Sequence, residues 1–222
     1  MSSKFRVERA TGRRCAAIVS VVWLASVANA QFVNASFEDP SLGGPGFTTN
    51  GINGWSTNES FGVAGVYWPN SFSAPVPDGN QIGYSNGSPV AQQSTSVLGL
   101  GETNLTMYFG RRFDGIDAVG TLELWAGGSV ANGVVSGGTL LDSVTVDETT
   151  IASGQFQQFD AAYFASAGDP SLGALLSAQI TFTSGSQMDF DLAAINSAPE
   201  PASMALLGLG AAALVRRRLR RT

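Results

Sequence analysis

The sequence contains no histidine, and its only cysteine is Cys15 near the N-terminus. Histidine is the usual general base near neutral pH and the commonest ligand of transition metals. A single cysteine cannot form an intramolecular disulfide or a thiolate metal cluster. The sequence therefore disfavours thiol catalysis and transition-metal chemistry.

Positive charge is also scarce between residues 31 and 198. This segment contains two cations, Arg111 and Arg112, against fifteen Asp and Glu, a net charge of −13, whereas the whole chain has −5. An acidic segment repels nucleic acid and anionic lipid, so we expect no nucleic-acid partner. It suits neutral ligands or cations. Because Asp114 and Asp117 lie close to the two arginines, we expect internal salt bridges there.

The N-terminus has the three parts of an export signal. A basic region ends at Arg14, the apolar stretch "CAAIVSVVWLASV" follows, and the small residues Ala28 and Ala30 lie where signal peptidase cleaves. The pattern predicts a signal peptide over residues 1–30. A transmembrane anchor is the alternative, but thirteen residues are short for one.

The C-terminus places an uncharged run, residues 202–215, before a cluster of arginines. As a helix this run would span about 21 Å at ~1.5 Å per residue, less than the ~30 Å hydrocarbon core of a bilayer. We expect a short transmembrane helix, because the alternative of an amphipathic helix packed on the domain needs a polar face that the run lacks. The arginines predicted to stop transfer on the cytoplasmic side are Arg216, Arg217, Arg218, Arg220 and Arg221.

A Pro-Glu-Pro segment lies directly before this uncharged run. Pro199, Glu200 and Pro201, the apolar run and the arginines resemble the PEP-CTERM sorting signal of bacterial exported proteins. The resemblance implies that residues 199–222 are recognised by an exosortase, which passes the protein from an inner-membrane intermediate to the cell surface or extracellular matrix. Pro199, Glu200 and Pro201 are then recognition residues for that partner.

Residues 31–198 have the pattern of a single all-β domain. Short runs rich in β-branched and aromatic residues alternate with Gly, Asn, Pro and Ser clusters, and nine to eleven such strands predict a β-sandwich. In "TLELWA", Leu122 and Leu124 share one face while Glu123 and Trp125 share the other. The last run, "QMDFDLAAI", predicts an inner face and an outer face. The inner residues are Met188, Phe190 and Leu192, and the outer ones are Asp189 and Asp191.

A second resemblance concerns this domain. The segments "FVNASFEDP", "INGW" and "PDGNQIGYSNGSPVAQQSTSVL" resemble the galactose-binding-like jelly roll of carbohydrate-binding modules. Related jelly rolls often hold a structural calcium between the first and last strands. The resemblance therefore implies a possible calcium site, with plain solvated acids as the alternative. Its ligands would be Glu38, Asp39, Asp189 and Asp191.

Large aromatic residues offer a candidate sugar-binding platform, because flat rings stack on pyranose faces. The alternative is that the same rings fill the core. The candidates are Trp55, Trp68, Tyr84 and Trp125.

No recognisable catalytic motif occurs among the many carboxylates. We therefore expect an exported, non-enzymatic protein whose domain binds or organises extracellular polysaccharide. Two alternatives stay open, a carbohydrate-acting enzyme and a purely structural envelope protein.

Overall fold

The computed structural model of the protein describes residues 32–198, which form twelve β-strands and one short 3-10 turn, Glu148–Thr150. Within these residues there is no α-helix and no helix that could cross a membrane. The predicted signal peptide and tail helix lie outside the described residues. The strands are β1 (Ser56–Thr57), β2 (Val63–Tyr67), β3 (Ile82–Asn86), β4 (Val90–Val97), β5 (Gly101–Gly110), β6 (Ala118–Ala126), β7 (Ser129–Ala131), β8 (Val134–Ser136), β9 (Thr139–Asp147), β10 (Phe156–Ala165), β11 (Leu175–Gly185) and β12 (Met188–Ala198).

The strands form two five-stranded antiparallel sheets and a separate hairpin. Sheet A has the order β10-β5-β12-β3-β2, sheet B has the order β1-β4-β11-β6-β9, and β7 pairs with β8. The predicted all-β sandwich is confirmed. The chain passes from one sheet to the other between several consecutive strands, for example from β4 to β5 and from β5 to β6. Short strands separated by Gly-rich turns are typical of such a sandwich.

Side chains alternate across each sheet as the sequence predicts. Leu122 and Leu124 are fully buried, and Glu123 and Trp125 lie on the outer face of sheet B. Alternation of this kind gives each strand one face for the core.

An aromatic cluster fills the space between the sheets. Phe37 lies 5.2 Å from Trp55 and 5.1 Å from Phe190, measured between ring centroids, and Phe190 lies 6.3 Å from Phe109. Trp55 is 6% exposed. Burying rings of this size contributes a large share of the hydrophobic stabilisation of the sandwich.

Strand β12 differs from its prediction in its second half. Met188 and Phe190 face the core, but the register with β5 shifts between Asp191 and Ala194, and Leu192 has φ 52°. The inner positions therefore pass to Ala193 and Ile195, and the prediction that Leu192 points inward is wrong. A bulge adds a residue to one strand, which the period of two cannot reveal.

The two ends of the sandwich are different. At one end β12 finishes at Ala198, which pairs with Glu102 of β5, and the sorting signal follows directly in the chain; we call it the tail end. At the opposite end lie the β5–β6 loop (residues 111–117) and the 3-10 turn, and we call it the Arg112 end.

Candidate active site

The candidate site centres on Asp189, the second residue of β12. Asp189 lies in register between Tyr84 of β3 and Gly110 of β5, on the outer face of sheet A. Gly110 has no side chain, and a Cβ there would come within 2.6 Å of the rings of Phe156 and Phe72. These two rings stack with their centroids 4.5 Å apart. Asp189 therefore lies between a tyrosine and a pair of stacked phenylalanines.

Asp189 is 0% exposed, and its two oxygens are in different surroundings. Oδ1 accepts a hydrogen bond from Gln187 Nε2 at 2.8 Å, whereas Oδ2 is buried without a hydrogen-bond partner. Burial raises the pKa of Asp189 to about 7, against the opposing effects of the Gln187 hydrogen bond and the Arg112 charge. Near neutral pH a large fraction of the molecules therefore carries a proton on this carboxyl group.

A polar cluster of Arg112, Asp114 and Ser71, which we call the cover, lies near Asp189, since the charges of Arg112 and Asp114 both act on the pKa of Asp189. The Arg112 guanidinium binds the Asp114 carboxylate through two hydrogen bonds, 2.9 Å from Nε and 2.6 Å from Nη2. Arg112 Nη2 also donates to Ser71 Oγ at 3.1 Å, and its Cζ lies 5.4 Å from the centroid of the Tyr67 ring. The hydrogen bond from Arg112 lowers the pKa of Asp114. The second predicted salt bridge also forms, between Arg111 Nε and Asp117 Oδ2 at 3.3 Å.

Tyr84 forms one wall as a neutral phenol. Its hydroxyl donates to the Thr48 carbonyl at 2.5 Å, and the side chain is buried. Burial, and then the nearby Asp189 carboxylate, raise the pKa of Tyr84. The ring therefore presents an aromatic surface to the site without supplying a proton at ordinary pH.

Glu148 lies behind the site and joins the two sheets. It is fully buried, and its oxygens accept from the backbone N–H groups of Ala118 in sheet B (2.8 Å) and Asp189 in sheet A (2.9 Å). Burial raises the pKa of Glu148 to about 9, and the nearby Asp189 adds to the rise. The sequence interpretation missed this residue, because an acid directly after a strand is typical of a solvated turn.

The four predicted calcium ligands are held by different partners. Asp191 accepts from the backbone N–H of Asp78 (2.9 Å) and of Leu192 (2.8 Å), and burial raises its pKa to about 8. Glu38 Oε1 accepts from two backbone N–H groups of the turn that follows Gly79. Asp39 is exposed, and Asp189 is oriented by Gln187 instead. Among residues 32–198, no three His, Cys, Asp or Glu side chains are grouped so that they could hold a metal ion. Oxygens of Glu38 and Asp191 accept backbone N–H hydrogen bonds, and the calcium site stays a prediction.

With this geometry established, the comparisons with known proteins decide the family. Residues 28–196 match the HpiC1-like family, described as HpiC1 cyclase. The chain belongs to this family. The expectation of a non-enzymatic domain is therefore wrong, because the family is one of cyclases. The sequence did not indicate an enzyme because this chain has no histidine and no recognisable nucleophile motif.

Solved structures of cyclases share the fold. The Stig cyclase Fisc from Fischerella sp. TAU, in complex with (3Z)-3-(1-methyl-2-pyrrolidinylidene)-3H-indole, is 22% identical, with a TM-score of 0.64 over 78% of this chain and 99% of that chain. An apo cyclase from Fischerella sp. is 21% identical, with the same TM-score over 79% of this chain and 98% of that one. The search of curated proteins gives no match.

The cyclase domain also has a more distant resemblance to carbohydrate-binding jelly rolls. The xylan-binding domain CBM22-1 of Paenibacillus barcinonensis Xyn10C is 13% identical, with a TM-score of 0.42 over 76% of this chain and 91% of that chain.

The tail is identified independently of the cyclase domain. Residues 197–221 match the PEP-CTERM protein-sorting motif, which confirms the interpretation of Pro199, Glu200 and Pro201 as part of a sorting signal. The motif indicates export, sorting to the cell surface and processing by an exosortase.

The four aromatic residues predicted as a sugar platform are spread over the cyclase domain. Trp55 is in the core, and its indole Nε1 donates to the Asn34 carbonyl at 3.2 Å. Tyr84 is part of the Asp189 site on sheet A, whereas Trp125 lies on the outer face of sheet B. Trp68 follows β2 and is half-buried. They do not form one platform, since they occupy the core and opposite faces of the sandwich.

Proposed function

We propose that this protein is an exported cyclase in which Asp189 is the general acid. The observation that carries the proposal is the Oδ2 atom of Asp189, which is fully buried, without a partner, and belongs to a carboxyl group whose pKa is about 7. A carboxylic acid with a raised pKa holds a proton at neutral pH and can transfer it to a bound substrate.

The proposed reaction is an isomerisation without an oxidant or a reductant. Asp189 Oδ2 donates its proton to an electron-rich carbon or nitrogen of the substrate and becomes a carboxylate. A neighbouring carbon–carbon π bond then attacks the cationic centre and closes a ring. The resulting cation loses a proton to Asp189, which restores the acid. The product has the same atoms as the substrate, and the nearby carboxylate stabilises the cationic intermediates.

The substrate class that we propose is a planar aromatic of indole type. The Asp189 surroundings support it, because Tyr84 and the stacked rings of Phe72 and Phe156 line the position with aromatic surface. One solved cyclase with this fold is in complex with 4-(1H-indol-3-yl)butan-2-one. We propose that the cover of Arg112, Asp114 and Ser71 moves aside when the substrate enters. Hydrogen bonds hold this cover. Breaking hydrogen bonds near solvent costs less free energy than disrupting a hydrophobic core, because water can replace the lost partners.

For the whole chain we propose the order of processing that the sequence suggested. Signal peptidase removes residues 1–30, the domain of residues 31–198 folds outside the membrane, and residues 199–222 hold an inner-membrane intermediate until an exosortase acts. The cyclase would then work at the cell surface or in the extracellular matrix.

A second candidate role, recognition of a neutral extracellular polysaccharide, has one specific observation in its favour. On the outer face of sheet B, Glu123 Oε2 accepts from Trp125 Nε1 (2.8 Å) and from Gln179 Nε2 (2.7 Å). A half-buried tryptophan fixed beside amide and carboxylate groups is a common surface for sugar stacking. Retention of the full chain on polysaccharide resin that Trp125→Ala abolishes would support this role, and equal retention would remove it.

Deuterium exchange tests the cyclase proposal without requiring knowledge of the natural product. The full chain is incubated with 4-(1H-indol-3-yl)butan-2-one in D₂O, and deuterium uptake into carbon positions is followed by mass spectrometry. We expect protein-dependent uptake that Asp189→Asn abolishes. The control is Asp160→Asn, which changes an exposed acid on β10 and should exchange like the parent. Uptake that persists in Asp189→Asn would contradict the role of Asp189.

A further inference from the structure

Five large apolar side chains are exposed at the tail end of the sandwich. They make up half of the ten large hydrophobic residues that are exposed among residues 32–198. Their exposed fractions lie between 40% and 62%, and they are Val97, Leu100, Leu140, Phe164 and Leu175. The other five are distributed over the rest of the domain.

The pairing of the strands places these residues close together. Val97 of β4 is the register partner of Leu175 of β11. On the other side, the edge strands β9 and β10 of the two sheets meet where Asp142 Oδ2 accepts from the backbone N–H of Ala162. Leu140 and Phe164 each lie two residues from this contact in the direction of the tail end. Phe164 in turn pairs with Glu102.

Leu100 lies between these two pairs. It belongs to the loop of residues 98–100, which crosses from β4 in sheet B to β5 in sheet A. The five side chains therefore all lie around the tail end, and we call this set of residues the apolar strip. Ala198, the last described residue, pairs with Glu102 beside it.

Charged side chains are fewer at the tail end than at the Arg112 end. The two loops that cross the tail end, residues 98–100 and 166–174, carry one charged side chain, Asp169, and Glu102 adds one exposed carboxylate at the start of β5. The Asp169 carboxylate accepts from the Tyr163 hydroxyl (2.6 Å) and from the Ser171 backbone N–H (2.8 Å). The Arg112 end carries many more charges within the loops 111–117 and 147–155, namely Arg111, Arg112, Asp114, Asp117, Asp147 and Glu148. An acidic protein can approach a membrane most easily with the end that has few carboxylates.

We infer that the apolar strip is a membrane-docking surface, which rests on the lipid bilayer while the sorting tail is still attached. The position of the tail argues for a bilayer as the occupant. The sorting motif begins at residue 197, inside the last strand, so only residues 199–201 separate that strand from the segment predicted to enter the membrane. Apolar side chains that reach the boundary of the acyl chains add to membrane affinity in proportion to the area that they bury.

Docking of the strip fixes the orientation of the domain. The strip then faces the bilayer, and the Arg112 end, with the Asp189 site, points away from it. The tail end would also hold the Pro199–Glu200–Pro201 segment close to the membrane surface, where an exosortase could reach it.

Fluorescence at single cysteines in the full chain tests the inference. Cys15→Ser removes the native thiol, and a polarity-sensitive probe is attached at Gly99→Cys beside Leu100 or at Ser153→Cys near the Arg112 end. A Cβ at Gly99 meets no atom within 4 Å, and Ser153 is exposed, so both sites accept a label. In phosphatidylcholine vesicles that contain nitroxide-labelled lipid, we expect quenching at position 99 and none at position 153.

A matched pair of variants separates docking from simple tethering. Leu100→Ser combined with Phe164→Ser should abolish the quenching at position 99, whereas Phe61→Ser combined with Phe113→Ser, which removes two exposed rings elsewhere, should leave it unchanged. Equal quenching at positions 99 and 153, or quenching that survives the strip variant, would overturn the inference. A probe at position 99 that becomes buried without quenching would overturn it in favour of the tail packing on the strip.

Discussion

At the scale of single residues, Asp189 determines the behaviour of the site, because its environment favours the protonated form. The unfolded chain releases this proton near pH 4, while the folded protein holds it until about pH 7. The folded state therefore binds more protons than the unfolded state in this window, and the Asp189 contribution to stability is lost as pH rises from about 4 to about 7.

Replacement by asparagine should remove this dependence. We expect the unfolding free energy of Asp189→Asn, relative to the parent, to rise by up to a few kcal/mol between pH 4 and pH 8, since each pKa unit corresponds to ~1.4 kcal/mol. In this variant an amide NH₂ group can take the place of Asp189 Oδ2. Because Oδ2 has no hydrogen-bond partner, no hydrogen bond is lost there, and we expect the variant to fold. Urea titrations at the two pH values measure the difference. A constant difference across this range would show that Asp189 is ionised in the folded protein.

The charges over Asp189 should tune its acidity in opposite directions. Arg112 lowers the pKa of Asp189 and Asp114 raises it. The other polar or ionisable groups that face Asp189 are Tyr84, Gln187, Asp117 and Glu148. Deuterium exchange should be lost with rising pH as Asp189 ionises. We therefore expect Arg112→Gln to raise the pH at which this loss occurs, and Asp114→Asn to lower it. Shifts in the same direction for both variants would indicate a structural effect of the cover.

At the scale of elements, Glu148 links the beginning of β6 in sheet B to the beginning of β12 in sheet A. Its two oxygens accept from backbone N–H groups of both strands, so a change that loses one acceptor leaves a buried N–H unpaired. An unpaired buried polar group costs about 1–3 kcal/mol.

Glu148→Gln should therefore destabilise the protein by about 1–3 kcal/mol at pH 6, since its amide Nε2 cannot accept a hydrogen bond. Glu102→Gln, at an exposed position of β5, is the control and should change stability by less than ~0.5 kcal/mol. Thermal or urea unfolding measures both. Equal stability of the Glu148 variant and the parent would show that the two sheets do not depend on this carboxylate.

The elements were largely predictable from the sequence, and the site was not. Alternation in "TLELWA" places Leu122 and Leu124 inside correctly because the period of a strand is local. The bulge after Asp191 and the burial of Asp189 depend on loops far away in sequence. Ser71 and Arg112, which belong to the cover near Asp189, come from two loops whose meeting no periodicity encodes. Glu148 was missed for the same reason, since its partners Ala118 and Asp189 are 30 and 41 residues away.

At the scale of the whole molecule, the chain combines a domain of the HpiC1-like family with a sorting signal. The net charge of −13 between residues 31 and 198 keeps the domain soluble outside the cell and makes neutral or cationic partners the most favourable. The Asp189 site and the sorting signal lie at opposite ends of the sandwich, so we expect removal of the tail to leave the Asp189 site unchanged.

Sorting should depend on the Pro-Glu-Pro segment and not on the domain. Replacing Pro199, Glu200 and Pro201 together by alanine should leave export intact but keep the tail attached, because the exosortase loses its recognition residues. Membrane fractionation and intact mass measure the retained tail. The control is Asp189→Asn, which should be sorted like the parent. Normal tail removal in the triple variant would contradict the assignment of these residues.

The pKa of Asp189 can be measured to test whether this residue is the general acid. Carboxyl carbons are labelled with ¹³C in the full chain, and the resonance that disappears in Asp189→Asn is followed against pH. We expect Asp189 to titrate near pH 7, so that it holds a transferable proton under neutral conditions. Titration near pH 4, as for an exposed aspartate, would contradict its role as the acid of this cyclase.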